Sequence, residues 1–163
     1  MRDDNDNPYM GRAQRFIGVL RHCQILGIQV KSASQEHLTL ELPYSASHVG
    51  NPDNGVIHGG VLTTLMDTAS GTMVILALPE FELCPTLDLR VDYVRAAEPG
   101  KPIIAEASVY RIARNVVFTR CLVHQGDINE PVAHCVATFM RIGPHLTPHE
   151  FKQHVLGAEH GPA

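Results

Sequence analysis

From about Gly60 to Leu78 the chain sets Leu62, Leu65, Met66, Ala69, Met73 and Leu76 at helical spacing. The opposite side carries Thr63, Thr64, Ser70, Gly71 and Thr72, and Asp67 is the one ionisable residue between His58 and Glu80. A helix this neutral all round belongs in a core. It would run roughly 27 Å at ~1.5 Å per residue, about the width of a small sheet, and Pro79 ends it. The rest of the chain must therefore build something that wraps a buried rod.

After Pro79 the apolar period changes from 3.6 to 2. Thr86-Leu87-Asp88-Leu89-Arg90-Val91-Asp92-Tyr93 alternates throughout. Strands follow over Ile103 to Ile112, Val116 to His124 and Val132 to Ile142, with turns at Glu98-Pro99-Gly100-Lys101 and Gln125-Gly126-Asp127. Such short connections predict an antiparallel meander. Upstream, His37 to Pro43 alternates with three leucines on one face. The expected fold is α+β: a single domain over residues 1–163 whose core, 37–142, is a curved antiparallel sheet of about five strands around one long helix. Residues 1–8 read as a flexible leader and 10–26 as an amphipathic helix stopped at Gly27. Tyr44 to Gly55 reads as a loop. The tail, 144–163, contains a short helix over Thr147 to Leu156 with Thr147 as its N-cap.

Composition narrows the partners. Lys plus Arg is 13 and Asp plus Glu is 17, a formal charge of −4, so there is no overall electrostatic footprint for nucleic acid or an anionic membrane. The acidic, polar start Met1-Arg2-Asp3-Asp4 lacks the basic end and apolar run of a signal peptide. Cys23, Cys84, Cys121 and Cys135 form no C-x-x-C pair; reduced, mostly buried thiols in a cytoplasmic protein are the expectation. His145, His149 and His154 lack a rigid metal-ligand spacing, and no metal or cofactor is expected.

Two features carry chemistry. Gly59 and Gly60 open the long helix, where first-turn N–H groups lack intrahelical partners and the dipole favours negative charge. A carbonyl oxygen becoming an oxyanion would be held there; the plainer alternative is a tight loop-to-helix entry. Asp67 has Thr63 and Gly71 at i±4, so no Lys or Arg pairs with it along the helix. It is either a candidate base or nucleophile or a carboxylate on a helix edge that faces water. His58 could bind a substrate carbonyl or cap the turn.

The run His58-Gly59-Gly60-Val61-Leu62-Thr63-Thr64-Leu65-Met66-Asp67, with the preceding asparagine and the Thr86 to Tyr93 strand, resembles the signature of hotdog-fold acyl-CoA thioesterases of the phenylacetate-pathway (PaaI-like) branch. The resemblance covers roughly residues 37–142. It implies that Asp67 is the catalytic carboxylate, as general base or nucleophile, and that the Gly59 N–H polarises the thioester carbonyl. By the same resemblance His58 orients the substrate, Gly60 adjoins it, and Asn51 or its rival Asn54 positions substrate or water. Thr86 matches a position where relatives orient the attacking water. Arg111, Arg114 and Asn115 become candidate coenzyme A contacts. The resemblance further implies a homo-oligomer, a dimer or dimer of dimers, with each site between two chains. Two other readings stand beside it: a non-catalytic acyl-CoA sensor, and a hotdog enoyl-CoA hydratase or dehydratase.

Overall fold

The structure, a computed structural model, describes residues 7–157. Residues 1–6 of the expected leader and 158–163 of the tail lie outside it. Its helices are α1 (Pro8–Val19), α2 (Arg21–Leu26), α3 (Gly59–Ala77) and α4 (His149–Leu156). Its strands are β1 (Gln29–Ala33), β2 (Leu38–Leu42), β3 (Val49–Asn51), β4 (Val56–Ile57), β5 (Thr86–Tyr93), β6 (Ile103–Ile112), β7 (Val116–His124) and β8 (Ala133–Met140).

Strands β1-β2-β6-β7-β8-β5 form one antiparallel sheet, and β3 and β4 form a small ribbon. The α+β architecture of a hotdog fold is therefore present: α3 lies along the concave face of the sheet. Leu65, Met66, Ala69 and Met73 of α3 are fully buried against Leu38, Leu40, Ile103 and Ala105. Burying each leucine, isoleucine or methionine among them contributes roughly 1.5–3 kcal/mol. α3 is apolar and long enough to cross a membrane by composition, but most of it is buried inside this core.

Several sequence expectations need correction. The sheet has six strands rather than five, because β1 was not anticipated; its burial alternates poorly, with only Ala33 buried. The meander holds for β6, β7 and β8 but not for β5, which crosses over to pair with β8 at the sheet edge. The loop before α3 contains the β3–β4 ribbon. The N-terminal helix breaks at Leu20, whose extended backbone (ψ 95°) separates α1 from α2. Pro8 opens α1 and Asn7 is its N-cap rather than part of a leader: the Asn7 side chain accepts the Tyr9 and Met10 N–H groups. Thr147 does not cap α4; its hydroxyl accepts the Leu83 N–H and donates to the Gly143 carbonyl.

Candidate active site

Asp67 sits on the second turn and a half of α3, half-buried, and β5 begins beside it. The Thr86 hydroxyl donates to Asp67 Oδ1 at 2.9 Å. Two elements set this pair. The helix presents Asp67 toward the sheet edge, and the register Thr86↔Phe139 fixes the start of β5. The resemblance implied that Thr86 orients water; in the structure its hydroxyl donates to the carboxylate. The pair opens onto an apolar cavity of about 360 Å³ whose walls include Gly71 and Ile75 of α3, Phe139 of β8, and Phe16 and Leu20 of α1.

The glycine end of α3 is built separately. His58 is the N-cap, and its Nδ1 accepts the Gly60 N–H at 2.9 Å. The ring is therefore unprotonated at Nδ1, with the proton on Nε2. A Cβ on Gly60 would meet that Nδ1 at 2.9 Å, so the glycine permits the cap. Gly50 approaches the His58 backbone more closely still, at 2.8 Å from a would-be Cβ to Cα. Tyr93, at the far end of β5, donates to the Gly59 carbonyl at 2.9 Å and lies 2.6 Å from Thr63 Oγ1. Sequence reasoning missed Tyr93; the one available signal was its place at the end of the alternating strand.

These two halves do not meet within one chain. Gly59 and Asp67 are more than two helical turns apart, about 12 Å. Asn51 and Asn54 are exposed turn formers: Asn51 Oδ1 accepts the Asp53 N–H and Asn54 Oδ1 the Val56 N–H, at 3.0 and 3.1 Å. Neither asparagine bonds Asp67. Arg111, Arg114 and Asn115 are exposed at the β6–β7 hairpin end and do not line the cavity. The register nevertheless joins Thr86, Phe139, Val117 and Ile112 in one cross-strand row, so that hairpin is at the same end of the sheet as Thr86.

The thiols around the carboxylate are protonated groups. Burial pushes Cys23 up, with the negative Asp67 adding to the effect, and pushes Cys84 up to about 12 with help from Glu82. Among the described residues no three His, Cys, Asp or Glu side chains converge as metal ligands. A half-buried carboxylate fixed by a hydroxyl at the mouth of an apolar cavity can accept a proton from water or attack an electrophile.

The thioesterase superfamily profile matches residues 54–132. A putative esterase of Halobacterium salinarum is 39% identical over 94 residues, covering 56% of this chain and 61% of that protein. The chain thus spans less than two thirds of that relative's length. A medium/long-chain acyl-CoA thioesterase, YigI, of Escherichia coli K12 is 28% identical over 78% of this chain and 89% of its own. A solved protein of Pseudomonas aeruginosa is 52% identical with a TM-score of 0.76, covering 83% of this chain and all of that one.

Proposed function

We propose that this chain, which the thioesterase superfamily profile matches over residues 54–132, hydrolyses acyl-CoA with a small or medium acyl group, aliphatic or aryl. The observation that carries this reading is the Thr86–Asp67 hydrogen bond at the mouth of the apolar cavity. The name of the E. coli relative also points to acyl-CoA, of medium or long chain.

In this mechanism Asp67 acts as general base. Thr86 holds Oδ1, and Oδ2 takes a proton from water, whose oxygen adds to the thioester carbon. The tetrahedral oxyanion collapses, the C–S bond breaks, and coenzyme A leaves as a thiol once protonated from Asp67. Attack by Asp67 itself, through a mixed anhydride, is the alternative role; label in the Asp67 carboxyl after a single turnover in ¹⁸O-water would show it with water opening the anhydride at the aspartyl carbonyl, and borohydride reduction of Asp67 during turnover would trap the anhydride whichever carbonyl water attacks.

The oxyanion needs a donor, and the Gly59 N–H of the same chain is about 12 Å away. The donor is supplied by a second copy. β5 is the terminal strand of the sheet, and Leu87, Tyr93 and Val94 on or just beyond it are 55%, 53% and 55% exposed. An antiparallel pairing of two β5 strands about a two-fold axis between Leu89 and Arg90 would set Thr86 opposite the partner's Tyr93, whose hydroxyl binds Gly59. The first turn of the partner's α3 would then face Asp67. His58 of the partner subunit would offer its Nε2–H to the substrate. Arg111, Arg114 and Asn115 would meet the coenzyme A phosphates along the adjoining surface. The four free cysteines suit a reducing, cytoplasmic setting.

Thiol release from short, medium, long and aromatic acyl-CoAs tests the reading. Hydrolysis by the wild type and its loss in Asp67→Asn are expected. Full activity in Asp67→Asn overturns the assignment. Ligand-dependent thermal stabilisation without product favours a sensor, and loss of enoyl-CoA ultraviolet absorbance favours a hydratase.

A further inference from the structure

We infer that the cavity behind Asp67 is an acyl-chain pocket for a linear, saturated chain of about eight to ten carbons, with Gly71 giving passage and Phe16 closing the far end. This rests on the thioesterase reading of the site. Asp67, Gly71 and Ile75 line the cavity at i, i+4 and i+8, so it follows a single stripe of α3 for about 12 Å beyond the carboxylate. An extended alkyl chain reaches about 1.3 Å per carbon, given C–C bonds near 1.5 Å, which sets the length. The polar side chains of the lining are Asp67, Thr68, Thr86 and the Cys84 thiol. Its apolar walls include Leu20, Ile75, Phe139 and Ile142, which offer no hydrogen bond to a polar acyl group.

The far wall is braced. The Phe16 ring meets Phe151 of α4 edge-on at 6.0 Å, and Phe151 packs on Phe81 at the same spacing. Arg15 ties α1 to the end of α4 by donating to the Val155 and Leu156 carbonyls. At the midpoint a Cβ on Gly71 would lie 3.5 Å from the Phe139 ring, an ordinary contact. Alanine therefore fits there, whereas a longer side chain would occupy the channel itself.

Chain-length profiles test this: kcat/KM from acetyl- to tetradecanoyl-CoA, with phenylacetyl-CoA, for the wild type, Gly71→Ala, Gly71→Leu and Phe16→Ala. Burial contributes about fourfold per methylene, so the wild-type profile should climb to octanoyl- or decanoyl-CoA and then level. Gly71→Leu should lower the decanoyl-to-butyryl ratio at least tenfold, Gly71→Ala less, and Phe16→Ala should raise the tetradecanoyl-to-octanoyl ratio. Ratios are read on folded enzyme, so partial misfolding does not mimic the shift. A wild-type profile flat with length, phenylacetyl-CoA as the best substrate, or an unchanged ratio in Gly71→Leu overturns the pocket while leaving thioester hydrolysis standing. No hydrolysis of any acyl-CoA overturns the thioesterase reading and the pocket with it.

Discussion

Thr86 Oγ1 donates to Asp67 Oδ1 at 2.9 Å, joining the first residue of an edge strand to the one charged residue of a buried helix. The bond leaves Oδ2 to take a proton. Thr86→Val keeps the side-chain shape and removes the donor. Its kcat should fall roughly tenfold to a hundredfold with KM little changed, against roughly 10²–10⁴-fold for loss of the base in Asp67→Asn. Thiol-release kinetics check this; a Thr86→Val enzyme with wild-type kcat would remove Thr86 from the mechanism.

At the other end of β5, the Tyr93 hydroxyl binds the Gly59 carbonyl and Thr63. Tyr93 is a positioning residue: it fixes the peptide group whose neighbouring N–H is proposed to hold the oxyanion. Tyr93→Phe keeps the ring, which would lie 3.3 Å from a Cβ on Gly59, and removes only the hydroxyl. The expected result is a kcat loss of about tenfold at unchanged KM and oligomeric state. A rise in KM alone would show a binding role instead.

The distance between Gly59 and Asp67 makes subunit mixing decisive. Asp67→Asn and Gly59→Pro, which deletes the N–H at a first-turn position where a helix tolerates proline, should each be nearly inactive alone. If sites lie between chains in a two-fold dimer, half the mixed population is heterodimer and each heterodimer has one intact site of two. Unfolding and refolding an equimolar mixture should recover about a quarter of wild-type activity. Recovery of none would mean that each chain holds its own complete site.

What could be read from sequence follows from where the information resides. α3 was visible from the helical spacing of its apolar residues, β6 through β8 because one face of each meets the core, and β5 from its alternation, of which Leu89 and Val91 pack against the core. The edge position of β5 was not visible, because strand order depends on how the crossover passes α3. β1 was missed since Lys31 and Ser32 interrupt its alternation and its register slips between Val30 and Ser32. In the site, Asp67 was conspicuous as a lone charge on a neutral helix. Gly71 was seen only as part of that helix's polar side, and Phe16 only as part of an amphipathic pattern. The cavity they line is formed by residues more than fifty positions apart in the chain, which no local period records.

Glu82 is 1% exposed and accepts Arg141 Nη2 and Nε at 2.6 and 2.8 Å, and the Gly143 N–H at 2.7 Å. It anchors the segment Leu83-Cys84-Pro85 that leads into Thr86. Arg141→Met would leave a buried carboxylate without its partner, at a cost of about 3–5 kcal/mol. Calorimetry should show Tm lower by on the order of 10 °C. Replacing both residues at once, Glu82→Gln with Arg141→Met, should recover part of that loss.

Cys84 stands next to that ion pair, and burial, with the Glu82 charge adding to it, pushes its thiol up to about 12, while Arg141 pulls the other way. The sign follows from proton counts. Below pH 9 the thiol is protonated in both states and contributes nothing to pH dependence. Between about 9 and 12 the unfolded chain releases this proton and the folded chain keeps it, so stability falls as pH rises. Denaturant melts of the wild type from pH 8 to 10.5 should therefore lose stability more steeply than those of Cys84→Ala, with the two slopes converging below pH 8. In the folded protein at pH 8, iodoacetamide should modify Cys84 far more slowly than in the unfolded chain, because the thiolate is the nucleophile. Parallel alkaline slopes in the two proteins would show that the Cys84 thiol ionises as readily folded as unfolded.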